Sequence, residues 1–279
     1  MTSVSKTPFK AVVLRVAAVA SMALATAGVA HAHRAWMLPS TFTLSGEEQY
    51  VTVDGAVSND LFFPNHVPMR LDNVKVTAPD GSVAAIENPS TGKFRSVFDL
   101  HLTQQGTYRL SDSGAGYFAT WTENGKPQRR RGSLEDFKAA GLVGKPGVEI
   151  RQNIRRVETY VTLGAPTMKA FEPTGKGLEL QPVTHPNDVY VGEAVTFKLL
   201  ANGKPAQNIE VDIVRGEDRY RDEAGVIKVK TGADGSFSFT LDQAGRYWMS
   251  SSSRVSTKVE GVPMEGSLSY TGTFEALAP

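Results

Sequence analysis

Apolar and polar residues alternate with a period of two along much of this chain, and turns rich in glycine interrupt the alternation. Such alternation predicts β-strands that each bury one face. The predicted strands cover residues 50–57, 74–77, 117–121, 157–163, 194–200, 209–214, 225–230 and 269–274. One short helix is predicted over residues 134–140, because Ser133 and Asp136 form a capping box and Gly141 offers a stop. The pattern therefore indicates an all-β protein.

Two stretches of this pattern align with each other without gaps, residues 98–110 and residues 237–249. Each alternates, breaks at a glycine turn and resumes with a Tyr-x-(Leu/Met) strand. Each also follows an Asp-Gly turn signal, at residues 80–81 and 234–235. We interpret each copy as two antiparallel strands with one buried face. The repeat predicts a β-sandwich that occurs twice.

The N-terminal stretch has the pattern of a cleaved secretory signal. Basic residues precede an uncharged run over residues 16–27, which is too short to span a membrane, and small residues follow. We expect an exported, periplasmic protein that does not span the membrane once the signal is removed. The predicted divisions are a signal peptide over 1–32, a first β-sandwich domain over 33–165, a linker rich in Pro and Gly over 166–177, and a second β-sandwich domain over 178–279.

Histidines stand at the expected cleavage point. A cut after Ala32 exposes His33, whose free amine and imidazole can chelate one metal ion. A cut after Ala30 exposes His31 followed by Ala32 and His33, and the amine, two amides and the third-position imidazole then form a square-planar nitrogen set that suits Cu(II) or Ni(II). The sequence leaves both cuts open, and both predict a metal ligand at the new N-terminus.

Charge and cysteine content narrow the classes of partner and site. The chain has 30 basic and 29 acidic side chains, and the predicted signal removes only basic ones. A mature chain that is slightly acidic argues against nucleic acid as a partner. The chain has no cysteine, so a metal site must use histidine, carboxylate, methionine or backbone groups.

Several motifs carry a resemblance to a known family. They are residues 33–39 (HRAWMLP), 178–186 (LELQPVTHP), 191–193 (VGE), 202–205 (NGKP), and 231–239 (TGADGSFSF) through 245–247 (GRY). The chain resembles the exported DUF4198 family, which is linked by name to nickel uptake and is similar to the periplasmic domain of the nickel transporter component NikM. The resemblance implies a periplasmic protein of Gram-negative bacteria, associated with transition-metal acquisition and often found beside TonB-dependent receptors. The second half also resembles transthyretin-like and carboxypeptidase-regulatory (CnaB-like) domains, so the expected fold is two tandem immunoglobulin-like or transthyretin-like β-sandwiches.

Three further histidines are candidate metal ligands. His66 lies in a loop rich in aromatic and polar residues, and loops on rigid β-scaffolds often carry sites. His185 follows the linker, and His101 points outward from a strand beside Asp99. Each is equally compatible with a histidine that only bonds its neighbours or faces solvent. Our hypothesis is that His33 and its amine, with His66 or His185, bind nickel, copper or zinc.

We therefore expect a non-enzymatic metal-binding or metal-delivery accessory of metal uptake, which hands its ion to a TonB-dependent receptor or an inner-membrane metal transporter. No hydrolase elbow, metalloprotease helix or phosphate-binding glycine loop occurs in the sequence. One alternative is an interaction module that docks such a membrane partner through Arg129, Arg130 and Arg131. A less favoured alternative is a copper oxygenase whose site contains the N-terminal histidine.

Overall fold

The structure is a computed structural model that describes residues 33–259 and 261–279. Strands dominate it. They are β1 (Arg34–Pro39), β2 (Thr43–Leu44), β3 (Gln49–Ser58), β4 (Val67–Pro68), β5 (Val74–Thr77), β6 (Val83–Ala84), β7 (Glu87–Thr91), β8 (Ser96–Leu102), β9 (Gly106–Glu123), β10 (Lys126–Gly132), β11 (Glu149–Leu163), β12 (Leu178–Pro182), β13 (Ala194–Ala201), β14 (Lys204–Pro205), β15 (Glu210–Arg215), β16 (Ile227–Lys230), β17 (Ser236–Thr240), β18 (Gly245–Val259) and β19 (Val262–Ala276). Each strand predicted from the alternation overlaps one of these, so the all-β class is confirmed.

The predicted helix is present as α1 (Leu134–Ala139). The Ser133 hydroxyl accepts a hydrogen bond from the Asp136 amide, and the Asp136 carboxylate accepts one from the Ser133 amide, which completes the capping box. Gly141 takes a positive φ of 64° just beyond the helix. Two 3-10 helices cover Lys169–Phe171 and Asp218–Tyr220. None of the helices in the described ranges is long and apolar enough to cross a membrane.

The strands form three sheets. A five-stranded sheet has the order β1-β3-β8-β7, with β4 beside β3. A ten-stranded central sheet has the order β16-β15-β18-β19-β11-β9-β5-β6, with β10 beside β9 and β2 beside β11. A four-stranded sheet has the order β12-β13-β14, with β17 beside β13. The parallel pairing of β11 with β19 joins strands from both halves of the chain into the central sheet.

The other two sheets pack on opposite faces of the central sheet. Val161 of β11 belongs to the core that also contains Phe98 of the five-stranded sheet. The neighbouring residue, Tyr160, belongs to the core that contains Phe197 of the four-stranded sheet. Successive side chains of a strand point to opposite faces, so β11 contributes to both cores. The result is two β-sandwiches that share one continuous sheet, and residues 33–279 form one compact unit.

The internal repeat has a different geometry from the one expected. The two strands of each copy are not paired with each other: β8 lies in the five-stranded sheet and β17 in the four-stranded sheet, whereas β9 and β18 both lie in the central sheet. In the first copy, the Tyr108 hydroxyl accepts a hydrogen bond of 2.8 Å from the Gln104 amide. In the second, the Tyr247 hydroxyl donates one of 2.7 Å to the Gln243 carbonyl. Each copy is therefore a corner at which the chain crosses between sheets, and the tyrosine hydroxyl forms a hydrogen bond to the backbone of that corner.

Candidate metal site

His33 and His66 lie against each other in the folded protein. Their imidazole rings are stacked, with centroids 3.7 Å apart and planes within 1° of parallel. The strand register explains the meeting: Arg34 at the start of β1 pairs with Ser58, while Val67 at the start of β4 pairs with Val57. The residues just before β1 and β4 therefore flank the same end of β3. Of the partners proposed from the sequence for His33, the structure brings His66 into contact with it.

The strand that follows His33 is anchored by a buried ion pair. Arg34 donates to the Asp218 carboxylate over 2.5 Å and to the Asn59 carbonyl over 2.6 Å. The other Asp218 oxygen accepts a hydrogen bond of 2.9 Å from the Leu61 amide. One carboxylate thus holds both β1 and the loop that leads to His66. The sequence analysis did not identify Asp218, because nothing local to residue 218 indicates its distant partners.

The loop that carries His66, residues 59–66, is itself held by hydrogen bonds. The Asn65 side chain accepts from the Asn59 amide over 2.9 Å and donates to the Asp60 carboxylate over 2.7 Å. The indole of Trp36 donates to the Ser58 hydroxyl, which donates to the Asp60 carbonyl. These contacts fix the backbone on both sides of the histidine pair. His66 is half-buried and His33 is exposed, so solvent reaches the pair.

A cavity of about 370 Å³ adjoins this loop. The sequence analysis did not predict it. Phe62, in the left-handed region at a φ of 60°, lays its ring over Gly216, where a Cβ would come within 2.7 Å of it. The Arg219 guanidinium lies over the Phe63 ring, 4.0 Å from its centroid. Left-handed backbone at a bulky residue is costly and concentrates at functional sites. The loop is therefore built to a fixed shape around residues 62 and 63.

Chemically, the histidine pair supplies two nitrogen ligands. Metal–imidazole bonds are about 2.0–2.1 Å long and lie in the ring plane, so the two stacked rings must reorient to bind one ion between them. In a chain that begins at His33, the free amine is a third nitrogen on the same residue. Within residues 33–259 and 261–279 no group of three or more histidine and acidic side chains has the arrangement of a metal site. A site at this pair therefore depends on the amine.

His185 lies apart in a buried hydrogen-bonded setting. Its Nδ1 accepts a hydrogen bond of 3.0 Å from the Asn187 amide, so in the neutral ring Nε2 carries the proton and bonds Thr107 over 2.9 Å. Burial lowers the pKa of His185 below its usual 6.5, against smaller raising effects of the Thr167 backbone and Asp188. Both ring nitrogens are engaged, so the structure offers no free nitrogen at His185 to a metal ion.

The remaining histidines are also placed away from the pair or outside the described ranges. The His101 ring stacks on Tyr50, with centroids 4.2 Å apart, and its Nε2 contacts the Glu48 carboxylate. This explains its outward position beside the five-stranded sheet, as the strand pattern predicted. His31 lies outside the residues that the structure describes.

The arginine run occupies the edge strand β10, which pairs with β9. Arg129 and Arg131 lie over the Phe118 ring, 4.6 and 4.8 Å from its centroid. Arg129 borders a groove of about 720 Å³ that Arg151 and Arg254 also line. Sequence reasoning missed Arg254, because it reaches this face only through the pairing of β18 with β19 and of β19 with β11. Arg130 points to the other face and is exposed.

Comparison with known proteins identifies the family. No curated protein matches the chain significantly. Solved structures that resemble it include the D0-D1 domains of intimin (13% identity, 84% of this chain and 96% of that one, TM-score 0.19). Others are a DUF4785 family protein from Legionella pneumophila (8%, 76% and 50%, 0.22) and the two tandem V-type regions of the chitin-binding protein VCBP3 (9%, 85% and 98%, 0.18). The family described as domain of unknown function DUF4198 matches residues 30–255. Because that match covers most of the chain, this protein belongs to the DUF4198 family.

Proposed function

We propose that this protein is a periplasmic accessory of metal uptake, which binds one nickel, copper or zinc ion and delivers it to a membrane transporter or receptor. The ion is held by the amine and imidazole of His33, at the N-terminus of a chain processed after Ala32, together with the imidazole of His66. The observation that carries the proposal is the contact between these two rings. No catalytic role is part of it.

Two features of the surroundings support a binding site rather than a chance contact. Both histidines sit next to anchored backbone, because Asp218 binds Arg34 and the Leu61 amide at once. Imidazole and amine nitrogens suit copper, nickel and zinc, and the chain has no thiolate that would compete for them. The half-open position of the pair also suits an ion that must be handed on, since a transfer partner needs access to it.

The proposal is tested by titrating metal-free protein that begins at His33 with Cu(II), Ni(II) and Zn(II) and measuring stoichiometry and affinity. His66→Ala should weaken binding by more than the roughly 10- to 100-fold that follows loss of a hydrogen bond orienting a ligand. A short Gly-Ser extension ahead of His33 should weaken it too, because it keeps both rings and removes the amine. His101→Ala is the matched control and should bind as the parent does. Equal affinity in all four proteins would refute the site.

A second candidate, docking of a membrane partner, is favoured by the groove beside β10. Arg129 and Arg131 are exposed and stacked on Phe118, so their guanidinium groups are presented together. Clustered positive charge attracts acidic segments. Crosslinking in the native periplasm should capture a transporter or TonB-dependent receptor with the parent and not with Arg129→Ser/Arg131→Ser. Arg70→Ser, at another exposed arginine, is the control.

A further inference from the structure

A second cavity, of about 480 Å³, lies on the central sheet where β5, β9 and β11 meet the segment between the two halves. Five basic residues line it: Lys75, Arg109, Arg155, Arg156 and Lys176. No acidic residue is among the described residues that line it. Hydroxyl groups of Ser111, Ser113 and Thr174 lie among them. The cavity wall is therefore rich in hydrogen-bond donors and positive charge.

Strand pairing brings these side chains together. Lys75 pairs with Ser111, and Ser111 pairs on its other side with Glu158. Two residues further along the same strands, Arg156 pairs with Ser113. Paired residues on neighbouring strands point to the same face, so three adjacent strands direct their side chains into one space. The cavity is thus a consequence of the sheet register and not of flexible loops.

Several donors in this cavity lack a partner. The Nε atoms of Arg109 and Arg156 and the Ser111 hydroxyl are buried and form no hydrogen bond in the described part of the chain. The carboxylate that contacts Arg109, that of Glu158, is 4.0 Å from its Nε. Buried polar groups are nearly always satisfied, and an exception often marks an absent ion or ligand. These unused donors are what a bound oxyanion would satisfy.

Carboxylates beneath the cavity form ion pairs with some of its arginines but not with its lysines. Glu158 and Glu179 pair with Arg156 at 3.1 and 3.4 Å, and Asp112 pairs with Arg155 at 2.6 Å. Burial lowers the pKa of Arg156, but the two glutamates outweigh that effect and hold the pKa above its usual value. Lys75 and Lys176 are exposed and form no ion pair with any described residue. The cavity therefore keeps surplus positive charge at its mouth.

We propose that this cavity binds a small organic polyanion. Arg109, Arg156 and Ser111 donate hydrogen bonds to its charged oxygens, and Lys75 and Lys176 attract it electrostatically. The volume suits a molecule larger than a single inorganic ion, since ligand pockets commonly span about 300–1,000 Å³. Ile154 and Ala115 add an apolar wall for a short carbon body. Phosphate esters and compact polycarboxylates share this chemistry. The proposal is independent of the metal site, because neither His33 nor His66 lines the cavity.

Calorimetric titration of metal-free protein with pyrophosphate and with citrate tests it, at low and at raised salt. We expect one binding site for at least one probe, weakened by salt. Citrate binding alone would assign polycarboxylates, pyrophosphate binding alone would assign phosphates, and binding of both would assign the shared chemistry. No binding of either at about 1 mM, a concentration that detects weak ligands, would overturn the proposal.

A charge-matched pair of variants locates the site. Lys75→Gln/Lys176→Gln should weaken binding of the probe roughly tenfold or more, since it removes both unpaired positive charges at the mouth of the cavity. Both lysines are exposed, so the fold should persist, which a thermal melt checks. Lys93→Gln/Lys230→Gln removes the same charge from exposed positions outside the cavity and should change affinity by less than about twofold. Equal losses in the two double variants would place binding elsewhere and overturn the assignment. His66→Ala should leave probe binding intact, which separates this result from that of the metal site.

Discussion

Arg34 donates a hydrogen bond of 2.5 Å to Asp218, a residue 184 positions away in the chain. Their side chains are only 12% and 6% exposed. The pair ties the strand that follows His33 to the 3-10 helix Asp218–Tyr220 of the second half. The position of the proposed metal ligand His33 therefore depends on both halves of the protein.

Removing the charge of Asp218 should destabilise the fold. Asp218→Asn leaves the buried Arg34 without its counter-ion, and breaking a buried ion pair in this way costs about 3–5 kcal/mol. Urea denaturation measures the loss of unfolding free energy. Asp72→Asn is the control, because the Arg70–Asp72 pair is 81% and 71% exposed and should contribute about 0–1 kcal/mol. Similar losses in the two variants would contradict the role given to Asp218.

His185 should make the protein less stable in mild acid. Burial lowers the pKa of His185 in the folded state below 6.5, so as the pH falls below 6.5 the unfolded chain binds a proton that the folded chain does not. The contribution of the neutral ring is complete above pH 6.5 and is lost as the pH falls from there, with a slope of up to about 1.4 kcal/mol per pH unit. His185→Gln should flatten the dependence of unfolding free energy on pH between 7 and 5. Identical slopes for parent and variant would show that the ring is not held neutral by the fold.

The contact between β11 and β19 should be intolerant of added volume. A Cβ at Gly266 would lie 2.7 Å from the Gln152 carbonyl oxygen, so Gly266→Ala must push the two parallel strands apart. We expect a loss of about 1–3 kcal/mol in thermal or urea unfolding. Gly116→Ala is the matched control on β9, because no heavy atom outside its chain neighbours lies within 4 Å of its Cβ position. A Gly266→Ala variant as stable as Gly116→Ala would mean that the two halves do not depend on this close approach.

Local signals in the sequence predicted local structure well. The alternation located many of the strands, and the capping box at Ser133 located α1, because both depend on residues close together in the chain. The interpretation of the repeat was wrong about pairing, since period-two alternation cannot say which sheet a strand joins. The parallel contact of β11 with β19 was not predicted for the same reason. Its partners are more than a hundred residues apart, and only the folded register brings them together.

In the candidate site too, the sequence predicted the residues involved but not the contacts between distant parts of the chain. The sequence singled out His33 and His66 by residue type and setting, and the structure places them in contact. It could not choose between His66 and His185, because that choice depends on which loop reaches the end of β3. Asp218 and Arg254 were missed because each acts beside residues from a distant part of the chain. The prediction of the site was limited by contacts between residues that are far apart in the sequence, and not by residue composition.

The most direct test of the proposed metal site is native mass spectrometry of the protein purified from the cells that naturally produce it, before and after treatment with a chelator. The mass of the intact chain fixes the N-terminus, and the difference between the two spectra identifies any ion. We expect a chain that begins at His33 with one nickel, copper or zinc ion, which the chelator removes and the His66→Ala variant does not carry. A chain that begins at His33, is purified without metal and does not bind added nickel, copper or zinc would contradict the proposed metal site.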